Sequence, residues 1–161
     1  MGAPIEMRCD VGVTVRELLS ASDADKIGGV IALELCWKAL EGTSFGRLAV
    51  ASDAGVDIFP INYAVDGTKI YFRTAPGSKL DDLVQHPHLA LEIDQLEDEG
   101  AFSVVVKGRA EVLEAPSEID AAAALPLTPW VPSLKLRWVR IRPSEVTGRV
   151  YRRGVEPPPY V

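Results

Sequence analysis

The 161-residue sequence predicts a mainly β protein, an antiparallel barrel of six or so strands with two or three short helices. Three observations predict it. From residue 46 onward, short runs rich in β-branched and aromatic residues follow one another. DG-type turns join several of them, and no strand–helix–strand rhythm of a parallel sheet breaks in. Hydrophobic residues make up 47% and charged residues 25%, ordinary for a soluble globular chain, so neither disorder nor a membrane class is suggested. A chain of this length fits one core, and residues 1–161 read as a single domain with a Pro-rich tail over 154–161.

Taken in order, residues 1–21 lack periodicity beyond a short VRELL segment and are expected as a lead-in strand or an arm. From Ser22 to Gly42 the apolar residues Ile27, Val30, Ile31, Leu35 and Ala39 recur at helix spacing, with Ser22 or Asp23 as the cap. Gly29 weakens the middle of that helix, and a break near Gly28-Gly29 would split it. Three antiparallel strands follow: GRLAVAS, then VDIFPINYAV after the turn at Asp53 to Gly55, then KIYFRTA after Asp66-Gly67. Pro60 removes one ladder donor, which places it at an edge, at a bulge, or where the backbone serves another purpose. A short helix SKLDDLVQH precedes the strands HLALEID and AFSVVVKGRAEVLEA, separated by an acidic turn. In the second of these Phe102, Val104, Val106, Ala110 and Val112 share one buried face. PSEIDAAAAL reads as a helix capped by Ser117 and closed by Pro126, and KLRWVRIRPSEVTGRVYRR as the last strand.

The net charge of -6 and pI near 4.9, with no stripe of Lys or Arg, argue against nucleic acid as a partner. The N-terminal residues lack the pattern of a signal peptide, and no apolar run reaches the roughly 18–20 residues that span a bilayer. Cys9 and Cys36 show no CxxC or Cys/His spacing, so the expected location is the cytoplasm.

Several constellations carry little chemistry. His86-Pro87-His88 lacks a third ligand nearby in sequence and reads as the end of the short helix. Cys36, beside Trp37, reads as a small buried hydrophobe with no base to activate it. The acidic residues Asp94, Glu97, Asp98 and Glu99 read as a solvated hairpin turn, and the arginines from Arg137 to Arg153 as a strand's solvent face or dimer contacts.

One window is more specific. A strand ending in Arg73-Thr74 runs through Ala75-Pro76-Gly77 into a helix whose expected N-cap is Ser78, with Asp81 at the capping-box position. A helix N-terminus offers free amides and a positive dipole end, and Arg73, Thr74, Ser78 and Lys79 add cationic and hydroxyl donors, a set suited to a dianionic phosphate. The same residues also fit a capped surface helix with two solvated cations, and spacing leaves both readings open. GxxxxGK[ST] and GxGxxG are both absent.

The succession GRLAVAS, DIFPINYAVDGTKIYFRTAPGSKL, HPHLALEID and FSVVVKGRAEVL resembles the pyridoxamine 5'-phosphate oxidase-like, FMN-binding split barrels, over roughly residues 34–151. The resemblance implies a six-stranded antiparallel Greek-key split β-barrel that forms a homodimer, with FMN at the subunit interface. It implies that Ile58, Phe59, Pro60, Ile61 and Asn62 line the flavin ring, largely through backbone groups, and that Arg73, Thr74, Ser78 and Lys79 grip its phosphate. Ser103 matches a polar position that reaches the flavin. Trp130 matches an aromatic supplied by the partner chain, a role for which Trp138 competes. The implied activity is that of a flavin-dependent oxidoreductase on a small molecule, with no catalytic side chain named. The related alternatives are a reductase using the deazaflavin coenzyme and a flavin- or haem-binding module without activity. The ending GRVYRRGVEPPPYV is not the basic motif of authentic pyridoxamine phosphate oxidases, which argues against vitamin B6 oxidation.

Overall fold

A computed structural model of the chain describes residues 12–22, 28–128 and 134–155. Its elements are α1 (Val15–Ala21), β1 (Gly28–Val30), α2 (Leu33–Glu41), β2 (Phe45–Ser52), β3 (Gly55–Asp66), β4 (Lys69–Thr74), α3 (Ser78–Gln85), β5 (His88–Glu97), β6 (Gly100–Val112), α4 (Pro116–Ala123) and β7 (Arg137–Arg152).

The seven strands lie in the order β1-β7-β4-β3-β2-β5-β6, and a further pairing of β6 with β7 joins the ends. Six strands therefore complete the ring, all antiparallel, and the short β1 is a seventh laid beside the C-terminal half of β7. β2, β3 and β4 are successive hairpins, and β5 returns beside β2, which is the Greek-key connection. Alternation decides the inward face: Leu48, Val50, Ile61, Tyr63, Ile70, Phe72, Leu91, Ile93, Phe102, Val104, Val106, Val139, Ile141 and Val150 are all buried. β6 follows its expected parity from Phe102 to Val106 and again at Ala110, across a bulge between Lys107 and Gly108.

Two N-terminal expectations are corrected. Residues 15–21 are neither a strand nor an arm: they form α1, opened by a capping box in which the Thr14 hydroxyl accepts from the Glu17 amide and the Glu17 carboxylate accepts from the Thr14 amide. Val13, Val15, Leu18 and Leu19 of this segment are buried in the main core. The expected helix from Ser22 to Gly42 breaks at its glycines, and among its described residues only the C-terminal part, α2, is helical. Gly28–Val30 instead pairs with Arg149 to Tyr151, and the Ile31 amide donates to the Gly148 carbonyl at 3.0 Å. Ser22 closes α1 rather than opening a helix, and the alternative cap Asp23 lies outside the described residues, as does Cys9. A ladder to the distant β7 satisfies the glycine backbone there, where helix propensity is weakest.

Cys36 is fully buried; its thiol, pushed up by burial, donates to the Ile31 carbonyl. In α4, Pro116 takes the first helical position and Ala115 is the cap, so Ser117 does not cap it. A smaller core of Tyr71, Leu113, Ala122 and Trp138 holds this helix, and Arg140 ties it down by bridging Glu111 on β6 and Glu118 on α4, both at 2.8 Å. Among the described residues, no helix is long and apolar enough to cross a membrane.

Candidate functional site

β3 and β4 pair only from Tyr63↔Phe72 to the turn at Asp66↔Lys69. Below that point they part: β2 stays on β3 down to Gly55, while Arg73 and Thr74 continue to pair with Trp138 and Arg137 of β7. The barrel is split along this seam. The register shows which backbone groups face it. The Tyr63 amide donates to the Ser44 carbonyl on the β2 side, so by alternation the backbone groups of Ile58 and Pro60 face the open side. Pro60 loses nothing by lacking an N–H that would point into a seam with no strand. Side chains on the outer face here, Val56 at 70% and Ile58 at 65% exposure, are apolar, while Ile61 points into the core and Phe59 packs against it.

The seam is bounded by the β4–α3 corner. Gly77 turns it with φ 147° and ψ -174°, a conformation essentially restricted to glycine. This glycine is the N-cap of α3, with no side-chain cap bond, and Ser78 is the first helical residue, so the expected Ser78 cap and capping box do not form. The consequence favours ligand binding, because the exposed Ser78 hydroxyl and the first amides of α3 are not spent on each other. Thr74 is buried, and its hydroxyl donates to the Ala75 carbonyl at 3.2 Å.

Arg73 and Lys79 are half-buried, not solvated. The Arg73 guanidinium lies 5.3 Å from the ring centre of Trp138, and its Nε donates to the Lys135 carbonyl at 2.8 Å. The Lys79 ammonium sits 4.6 Å from the ring centre of Phe59. Burial, and secondarily the charge of Lys135, hold it below the usual lysine range. Among the described residues neither cation forms an ion pair, whereas Arg47 on the outer face is paired with Glu92 and Asp94 at 2.9 and 2.6 Å. Two half-buried cations without a counter-ion beside an open strand edge and a helix N-terminus are suited to hold an anionic group whose apolar body lies along β3.

The structure thus brings Ile58, Phe59, Pro60, Ile61 and Asn62 to one side of the seam and Arg73, Thr74, Ser78 and Lys79 to the other. It does not bring Ser103 to them. That residue lies on β6, across from Asp94 of β5, three strands and roughly 14 Å from β3 around the sheet. Between them an open groove of about 880 Å³ is lined by Phe45, Arg47, Asp94, Gln95 and Leu96 among others. Trp130 lies outside the described residues. Trp138, its competitor, is buried under Arg73 within the same chain. His86 ends α3 and its Nε2 lies 3.1 Å from Asp53 Oδ1, while His88 opens β5 opposite Arg109. Sequence reasoning missed Gly77 as the cap and Lys135 altogether; the pairing of β4 with β7 that brings Lys135 in has no local sequence signature.

Known proteins are similar to this chain in sequence and fold. An uncharacterised protein of Mycobacterium tuberculosis is 41% identical over 93 residues, covering 58% of this chain and 84% of that protein. A structure of an FAD-binding protein from Mycobacterium smegmatis superposes with a TM-score of 0.67 at 33% identity, covering 78% of this chain and 99% of that one. A structure from Corynebacterium diphtheriae of unknown function gives 0.69 at 34% identity, covering 78% and 99%. The sequence profile of the pyridoxamine 5'-phosphate oxidase family matches residues 33–150, which spans β2 to β7 and every described residue of the seam, and the chain belongs to that family.

Proposed function

We propose that this protein binds FMN in the seam between β3 and β4 and serves as a flavin-dependent oxidoreductase, working as a homodimer. The observation that carries the reading is the pair of half-buried, unpaired cations Arg73 and Lys79 at the end of an open, apolar strand edge. A flavin mononucleotide joins a dianionic phosphate to a planar apolar ring, and the seam has one end for each. The phosphate would be met by Arg73, Lys79, Ser78 and the α3 amides, with Thr74 shaping the corner. The ring would lie along Ile58 to Asn62, with the carbonyls of Ile58 and Pro60 near its polar edge. A bound flavin supplies the hydride and electron chemistry. The chain's own residues bind it, orient it and limit its contact with water.

The homodimer reading rests on exposure. A ring laid against β3 of one barrel is covered on one side only, and the outer face that carries Val56 and Ile58 continues to the partly exposed Phe45 on β2. A second copy set on this face would close the site, and Ser103 or Trp130 could reach the flavin from there. The FAD-binding relative at 33% identity supports a flavin as the ligand class.

The test is an absorption spectrum of the purified protein followed by titration with FMN and with the deazaflavin coenzyme. Bound flavin and a Kd for FMN well below that for the deazaflavin are expected. The double variant Arg73→Ala, Lys79→Ala should lose FMN while remaining folded. A colourless wild type with no affinity for FMN, or a double variant as yellow as wild type, would overturn the reading.

A further inference from the structure

We propose that Lys135 is the third cation of this site and that the three together select a phosphate group carrying two negative charges. The inference takes its ligand from the flavin reading above, but the cation cluster stands without it.

The approach to β7 inverts the usual burial order. Leu134 and Leu136 are 81% and 66% exposed, while Lys135 between them is half-buried. Turning the lysine inward and both leucines outward is the reverse of what hydrophobicity alone would choose. The backbone secures that choice, because the Lys135 carbonyl accepts from Arg73 Nε at 2.8 Å, and Arg73 in turn lies over Trp138. Lys135 is close enough for its charge to act on Lys79. Lys135 therefore neighbours both other cations, its carbonyl held by Arg73 and its charge felt at Lys79, and among the described residues none of the three has a carboxylate partner. Elsewhere the barrel does pair its half-buried cations, as Arg140 with Glu111 and Glu118. Gathering like charges in a half-buried place is unfavourable until an anion enters, and a dianion offsets more of that repulsion than a monoanion. A terminal phosphomonoester, as in FMN, and a pyrophosphate, as in FAD, both meet the requirement; a single phosphodiester carries half the charge.

Lys135→Gln isolates the side chain, because the carbonyl held by Arg73 remains. Binding of FMN, FAD and riboflavin to wild type, Lys135→Gln and Lys135→Arg should be measured at constant ionic strength. Riboflavin has the ring and no phosphate. We expect Lys135→Gln to weaken FMN or FAD binding roughly tenfold or more, to leave riboflavin within about twofold, and to be rescued largely by arginine. The nucleotide whose affinity falls identifies a monoester or a pyrophosphate as the occupant. Equal losses for all three ligands, or none, overturn the assignment. If wild type binds no flavin at all, the flavin reading fails, and inorganic pyrophosphate becomes the probe. Weaker pyrophosphate binding by Lys135→Gln than by wild type then supports the cluster, and equal binding or none by both removes it.

Discussion

Lys79→Met separates what this residue does in the empty protein from what it does with an anion bound. In the empty protein the ammonium is held below the ordinary lysine value of 10.5 by burial and by Lys135. Between the lowered value and 10.5 the unfolded chain binds more protons than the folded one, so this group's contribution to stability rises with pH across that window. Below the window its full penalty is present. Methionine keeps the aliphatic stem and a favourable contact with Phe59, in place of a cation–π contact at 4.6 Å that contributes about 0.5–1 kcal/mol. Near neutral pH the empty variant should therefore lie within about 1 kcal/mol of wild type, and wild type should gain on it as pH rises through the window. With FMN bound the sign reverses. The variant loses a charge-assisted hydrogen bond to phosphate, about 1.5–3 kcal/mol, or roughly 10- to 150-fold in Kd. Wild-type affinity should be highest below the lowered lysine value and weaken above it, because the empty site must then take up a proton to bind, and this pH dependence should flatten in the variant. Urea denaturation of the ligand-free proteins and fluorescence titration with FMN and riboflavin measure both halves. An FMN affinity unchanged by Lys79→Met, or a parallel loss for riboflavin, would refute the reasoning.

Two further outcomes test the scaffold that holds the seam. Tyr63 is buried, and its hydroxyl donates to the Leu40 carbonyl at 2.9 Å at the end of α2. Tyr63→Phe should cost about 1–2 kcal/mol by leaving that carbonyl without its partner, seen as a thermal midpoint lowered by roughly 2–8 °C; a shift within about 0.5 kcal/mol would mean that water replaces the hydroxyl. Gly77→Ala meets no steric neighbour but places a side chain at φ 147°. It should cost about 1–3 kcal/mol and weaken FMN more than riboflavin by moving the first amides of α3, and equal losses for the two ligands would show that the corner does not touch the phosphate.

Much of the barrel is legible in the sequence because its strands are local patterns. The runs at 45–52, 55–66 and 69–74 are rich in β-branched and aromatic residues, and the turns between them are marked by residues with φ that favours glycine, 138° at Gly55 and 59° at Gly67. The N-terminal segment defeats the same reasoning for a physical reason. Ile27 to Ala39 has helix spacing, yet the Gly28–Val30 backbone gains more from hydrogen bonds to β7 than a glycine-weakened helix could offer, and β7 is remote in sequence. α1 escapes because a helix of this length is marginal alone and is held by burial of Val15, Leu18 and Leu19 against the barrel.

The phosphate window divides along the same line. Arg73, Thr74, Ser78 and Lys79 lie within seven residues, so sequence alone determined that a strand end, a turn and a helix start would meet there with two cations. Whether those cations are solvated was decided by tertiary structure. Phe59 under Lys79 comes from β3, and Trp138 under Arg73 and the turned-in Lys135 come from β7 and the approach to it, both remote in sequence from the window. Desolvation and unpaired charge depend on what packs around a group, and local spacing carries no record of that.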